Sequence, residues 1–166
     1  MKNILAFDAE TNGLWGQVFA IGATLIDTKG NEIARFYGAI ECPDPIEWVA
    51  KNVVPHCEVT HDSYSELIED FSTWYMENKK DAYVVAHMGY IVEAHLLREM
   101  HRLGGIGDWD GPFPMHDTAS LLLAAGEDPT SEDAYLEKYD IPAYTPAHNP
   151  LADARNTATV FARLVR

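Results

Sequence analysis

Basic residues are scarce in this chain: 12 lysines and arginines stand against 26 aspartates and glutamates, a formal net charge of −14. That balance opposes attraction to a polyanion over the whole surface, so a long duplex is a poor candidate partner. It leaves nucleic acid open, because a site that gathers carboxylates to hold divalent cations is acidic until the cation arrives. Cysteine is scarcer still. Cys42 and Cys57 are too few for a disulfide framework, and free thiols fit a reducing compartment. No segment approaches the roughly 20 apolar residues that span a bilayer, and the apolar run at residues 1–7 lacks the flanks of a signal peptide. A cytoplasmic protein without a membrane partner is therefore expected. Phosphate loops, Gly-x-Gly-x-x-Gly turns and Gly-x-Ser-x-Gly elbows are also missing, which removes several large enzyme classes.

What is present is the composition of one globular domain, expected to occupy residues 1–166. Lys2 to Asp8, Val18 to Asp27 and Glu32 to Ile40 are rich in strand formers, and Lys29-Gly30-Asn31 separates the last two as a turn, so an antiparallel meander is expected. Tyr64, Leu67, Ile68, Phe71, Trp74 and Tyr75 recur at helical spacing, with Glu66, Glu69, Asp70 and Glu77 outward. Ala82 to Ala86 suits a buried central strand. A second helix follows Gly89, runs to about Leu103 with Leu96, Leu97 and Met100 on its stripe, and stops at Gly104-Gly105. Gly104 to Pro114 reads as a loop. Asp117 and Ser131 can cap shorter helices, and Asn149 with Pro150 opens the last one, whose stripe is Ala154, Thr157, Ala158, Phe161, Leu164 and Val165. Strands first, then helices alternating with a strand or two, indicate an α/β domain on a mixed sheet.

The carboxylates fit a bland α/β domain less well. Asp8 and Glu10 stand at the end of the first strand with Ala9 between them, so alternation sends both side chains to one face. At ~4 Å and an effective dielectric of ~20 their repulsion is about 4 kcal/mol, which something positive should offset. Near the other end, His148 precedes the cap of the last helix and Asp153 lies in its first turn, where the helix dipole tolerates an anion. Taken singly, each feature also suits a solvated strand end or a helix start.

Together, the segments Phe7-Asp8-Ala9-Glu10-Thr11-Asn12-Gly13-Leu14, Val84-Val85-Ala86-His87, Asp117-Thr118 and His148 to Asp153-Ala154 resemble, in order and spacing, the motifs of the DEDDh 3'-to-5' exonucleases. The likeness extends over nearly the whole chain. It implies an RNase H-like fold, three antiparallel N-terminal strands plus parallel strands flanked by helices, and hydrolysis of single-stranded DNA or RNA from the 3' end. It also implies two Mg2+ or Mn2+ ions, the kind of cation that oxygen ligands favour. By resemblance Asp8 would bridge both ions, with Glu10 and Asp153 completing the first site. His148 would be the base that takes a proton from the attacking water, a task suited to imidazole near neutral pH. Thr11, Gly13 and Leu14 would hold the terminal nucleotide, and Trp15 and Tyr90 are candidates to stack on bases.

One motif departs from the family. The middle one usually ends in an aspartate, the fourth acidic ligand, and here Val92 occupies its place with Glu93 next to it. Glu93 shares a helical face with Leu96, Leu97 and Met100, and its longer side chain can compensate for the one-residue shift. It would then hold the second ion. The alternative is that Glu93 only stabilises a helix N-terminus, leaving a catalytically impaired module that binds nucleic acid or a protein partner. A zinc protein using His56, Cys57, His61, His95, His101 or His116 lacks the usual ligand spacing. Trp48, Trp109 and Phe113 are candidates for a homodimer surface, a reading the sequence does not separate from core positions.

Overall fold

Alternation along the first strand decides the layout of the molecule, whose computed structural model describes residues 2–165. Strand β1 (Asn3–Thr11) sends Leu5, Phe7 and Ala9 to one face and Ile4 and Ala6 to the other, and each set enters a different core cluster. Both faces are covered, so β2 (Val18–Ile26) is buried along its whole length and reads as a continuous apolar run. Strand β3 (Glu32–Ala39) completes the expected antiparallel meander, while β4 (Ala82–Ala86) and β5 (Met115–Asp117) add in parallel beyond β1. The order is β3-β2-β1-β4-β5, a mixed sheet of the expected kind.

Six α-helices flank it: α1 (Glu47–Asn52), α2 (Tyr64–Asn78), α3 (Val92–Arg102), α4 (Thr118–Ala124), α5 (Glu132–Lys138) and α6 (Pro150–Leu164). On one face Leu67, Phe71 and Tyr75 of α2 and Leu96 and Met100 of α3 pack on Leu5 and Phe7. On the other, Ala158 and Phe161 of α6 pack on Ile4, Ala6 and Val85. The expected caps form: Asp117 accepts a hydrogen bond from the Ala119 N–H, Ser131 from that of Ala134 and Asn149 from that of Ala152. Each contributes about 1 kcal/mol to its helix. Among the described residues no helix is long and apolar enough to cross a membrane.

The differences from the sequence reading have local causes. Strand β1 runs on to Thr11 because pairing with β2 continues through Glu10↔Ala20 and Thr11↔Val18, so Asp8 and Glu10 lie inside the strand rather than at its end. Helix α3 begins at Val92, since a turn is first spent at Met88, whose φ is 51°, and Gly89. Helix α1 escaped the pattern because it buries only Val49, and β5 because it is three residues long. Val165 lies beyond the end of α6 and is exposed rather than part of its apolar stripe.

One glycine sets the depth of the last helix. Gly22 pairs with Asp8 across β1 and β2, and a Cβ there would sit 2.1 Å from the backbone nitrogen of Leu151. The missing side chain lets the first turn of α6 press on the sheet where Asp8 stands.

Candidate metal and nucleic-acid site

Continuing the alternation of Ile4 and Ala6, Asp8 and Glu10 emerge from β1 on the side that α6 covers. They open into a cleft of about 500 Å³ that is also lined by Glu93 from the start of α3, Glu132 from the start of α5, and His148 and Asp153 around the start of α6. Residues 145 positions apart in sequence, Asp8 and Asp153, thus face one cavity. Among the described residues no lysine or arginine lines it. One ligand atom each of Glu10, His148 and Asp153 lies within 4.8 Å of the others, the one such group found among the described residues.

The electrostatic consequence is large. Burial, followed by repulsion from Glu93, Glu10, Asp153 and Glu132, holds the Asp8 carboxyl well above the ordinary carboxylate range. Burial, then Asp153 and Glu93, pushes Glu10 up to about 8, and burial above all raises Glu93, Glu132 and Asp153 to about 7. With Asp133 also on its lining the cleft holds six carboxylates and, among the described residues, no lysine or arginine, and such a group is costly as anions. The oxygen-rich donor set, with His148 the one imidazole grouped with Glu10 and Asp153 and His87 turned to Glu132, fits hard divalent cations.

Each side chain is placed by identifiable contacts. Glu93, only 4% exposed, accepts a long hydrogen bond from the Ala9 N–H, 3.4 Å from its Oε1, so the α3 start is tied to β1 between Asp8 and Glu10. The turn that precedes it is fixed by Asp117, which accepts from the Met88 and Gly89 N–H groups, both at 3.2 Å. Asp153 accepts from the His148 N–H at 2.9 Å. His148 itself sits at φ 61°, with Nδ1 4.0 Å from Glu10 Oε1 and its ring edge-on to Trp48 at 5.2 Å. Asn149 donates to the His56 carbonyl at 2.9 Å, so the segment after α1 anchors the loop that carries the histidine.

Glu132 was not singled out from the sequence. Its carboxylate accepts from the Thr118 hydroxyl at 2.6 Å and the Thr157 hydroxyl at 2.7 Å, with His87 Nδ1 3.6 Å from Oε1. A signal existed, because Glu132 precedes buried Leu136 by four residues and shares its helical face.

On the rim, Asn12 fastens the β1–β2 loop by donating to the Pro43 and Asp44 carbonyls and accepting from the Ile46 N–H. Gly13, at φ 78°, makes the turn that projects Leu14 and Trp15. Leu14 lines the cleft, Trp15 is 82% exposed and Tyr90 75%, so neither aromatic belongs to the core. Thr11 ends the strand beside them, in a small pocket with Leu14 and Trp15. Trp48, Trp109 and Phe113 are exposed as well.

Comparison with solved structures explains the arrangement. The nuclease domain of 3'hExo, a DEDDh family member bound to rAMP, superposes with a TM-score of 0.70 over 99% of this chain and 92% of that one, at 13% identity. The fold is that of the DEDDh 3'-exonuclease domains. The Mg2+- and Mn2+-bound form of S. pombe Pop2p gives 0.70 over 97% of this chain and 82% of that one, at 16% identity. Exonuclease I gives 0.71 over 99% of this chain, at 14% identity, but this chain spans only 41% of that one. Comparison of the sequence with protein-family models and with curated proteins yields no match. The likeness to these structures is thus one of backbone fold.

Proposed function

We propose that the protein is a divalent-metal-dependent 3'-to-5' exonuclease acting on single-stranded DNA or RNA and releasing nucleoside 5'-monophosphates. The observation that carries this reading is the convergence of six carboxylates and His148 in a cleft that no described lysine or arginine lines, on a DEDDh exonuclease fold. Such a site is electrostatically incomplete until cations enter. Asp8, Glu10, Asp153 and Glu93 are the residues that would hold two Mg2+ or Mn2+ ions, with Asp8 shared. Bound there, the ions would neutralise the phosphate, favour ionisation of the attacking water and stabilise the leaving oxygen.

The chain's own groups do the rest. Thr11, Gly13 and Leu14 seat the terminal nucleotide against the β1–β2 loop and fix its phosphate over Asp8. His148 takes the proton of the attacking water at Nε2, the ring nitrogen not facing Glu10. The Glu10 carboxylate, 4.0 Å from Nδ1, then stabilises the imidazolium. Water bonds to phosphorus, the bond to the 3' oxygen of the preceding nucleotide breaks, and the proton passes to that oxygen. His148→Ala is expected to lower turnover by roughly 100-fold or more while metal binding persists.

The direct test is digestion of 5'-labelled single-stranded DNA and RNA with Mg2+ or Mn2+. A one-nucleotide ladder that shortens from the 3' end and vanishes in Asp8→Ala is expected; internal cuts, or a ladder that survives in Asp8→Ala, would remove the reading. Val92, at the position where the family carries its fourth acid, favours a second one, an impaired module that binds without cleaving. Calorimetric titration with Mn2+ separates the two, since an impaired module would show no binding that depends on Asp8 and Asp153.

A further inference from the structure

The cleft has an exit that differs chemically from the rest of its rim. Leu14 and Val92 line both the acidic cleft and a narrow pocket of about 90 Å³ whose walls include Trp15, His95 and Arg98 and no carboxylate. Trp15 and His95 also border a third cavity of about 310 Å³, which reaches Arg102 on the outer face of α3. Sharing walls in this order, the three cavities adjoin in a line, the groove, that runs from the metal-binding candidates along the helix.

Charge singles this groove out. The chain has 12 basic residues in all. Of the two arginines along the groove, Arg102 is occupied by a two-pronged contact with Glu99, at 2.9 and 2.8 Å. The Arg98 guanidinium is exposed and makes no hydrogen bond or ion pair with any described residue. Lys51, on α1 with Trp48, is the rival cation on the His148 side, and it does not line the cleft. The Glu132 side carries the further acid Asp133 and repels phosphate.

We propose that the strand upstream of the terminal nucleotide leaves the cleft over Leu14 and Val92 and follows the outer face of α3, one base stacking on Trp15 and one phosphate pairing with Arg98. The inference rests on the exonuclease reading and adds the substrate's path and class, an unpaired strand at least a few nucleotides long. Stacking on an indole needs a base free of its partner, and a bare guanidinium recognises phosphate without regard to sequence. A groove with one free cation suits a strand whose binding depends on stacking more than on phosphate neutralisation.

The test compares two substrates. Oligo(dT) or oligo(U) of about 12 nucleotides, within the ~4–16 nucleotides that single-strand sites span, would fill cleft and groove. The p-nitrophenyl ester of thymidine 5'-monophosphate or uridine 5'-monophosphate fills the cleft alone. The readout is the ratio of kcat/KM for the oligonucleotide to that for the ester. In Arg98→Glu and in Trp15→Ala the ratio is expected to fall roughly tenfold, through KM for the oligonucleotide. Lys51→Glu, the same charge change on the opposite rim, should leave it where it was. Ratios unchanged in both groove variants, or a fall in Lys51→Glu instead, would overturn the path. A wild-type protein that hydrolyses the ester yet gains nothing from the longer chain would overturn the groove and leave the exonuclease reading standing. A wild-type protein that hydrolyses neither substrate would remove that reading, and the groove with it.

Discussion

Two carboxylate environments lie along the same helix and are solved in opposite ways. At one, Glu32 of β3 meets Arg155 of α6 in a two-pronged contact at 2.7 and 2.8 Å, accepts from the Thr24 hydroxyl and is held below the ordinary glutamate range chiefly by Arg155. At the other, two residues away in sequence, Asp153 enters a cleft with five further carboxylates, and burial raises it to about 7. Arginine thus neutralises a half-buried acid at one place and is kept out of the other. A cluster left uncompensated where the fold has the means to compensate it is a cluster arranged for something that arrives from solution.

The sharpest way to break this contrast is to remove the acid that most others repel. Asp8→Asn should lower hydrolysis on the order of a thousandfold, by analogy with the loss of one preorganised electrostatic group. The same change should raise the melting temperature in EDTA above pH ~4, because it removes a buried carboxyl that burial and four other acids keep from ionising as it does in the unfolded chain. An active Asp8→Asn protein, or one less stable in EDTA, would mean that the cleft carboxylates serve structure. The next effect is smaller and decides the fourth ligand. Glu93 makes a single long contact from a backbone N–H, whereas both oxygens of Glu132 already accept short bonds from threonines. Glu93→Gln should therefore weaken Mn2+ binding by about 10- to 100-fold and Glu132→Gln by only a few fold, measured by calorimetry. The reverse order would assign the missing acid to Glu132.

That pair also marks the limit of what the sequence makes legible. Strands β1 to β4 and helices α2 to α6 could be read because alternation and capping residues act locally, whereas Asp8, Glu10, His148 and Asp153 are weak signals singly and stood out only because their order and spacing together resemble the DEDDh motifs. Glu93 was reached as the neighbour of Val92, where the family carries its fourth acid, and the stripe it shares with Leu96, Leu97 and Met100 said only that it points inward. Glu132 was passed over although it shares a face with Leu136, because its meaning depends on α5 docking beside α6 through Leu136 and Val160, a contact between elements far apart in sequence. Helix α1 buries one residue and gives almost no pattern, yet it brings Trp48 to His148. What was missed is what only packing creates.

Protonation separates the two environments by pH. With no cation bound, Glu10 titrates at about 8 and Glu93, Glu132 and Asp153 at about 7, while in the unfolded chain such groups titrate near ~4. Between those limits the folded state holds more protons than the unfolded one, so stability in EDTA should fall as pH rises from about 4.5 to 8 and level off above. Glu32, lowered by Arg155, has the opposite sign but acts below that window. His87, lowered by burial, opposes the trend near and below pH ~6.5, one group against four. Saturating Mn2+ displaces the protons, so its stabilising effect should grow with pH across the same range. Melting curves at pH 5.5 and 8.5, with EDTA and with Mn2+, check this; a metal-induced shift that shrinks at the higher pH would contradict it.

The smallest effect comes from the compensated end. Arg155→Met keeps the aliphatic bulk over the Tyr144 ring but removes the closest partner of Glu32, leaving it the Thr24 hydroxyl at 2.9 Å and the Arg35 guanidinium at 3.6 Å. Because both side chains are partly exposed, 22% and 28%, water screens the lost attraction, and the cost should be about 1 kcal/mol. Adding Glu32→Gln should recover part of it, since the uncompensated charge is then gone. Hydrolysis should stay within about twofold of wild type in both variants, because Arg155 points away from the cleft and does not line it. A tenfold fall in turnover in Arg155→Met would show that α6 couples its two acids, and the ion pair would then have to be counted among the supports of Asp153.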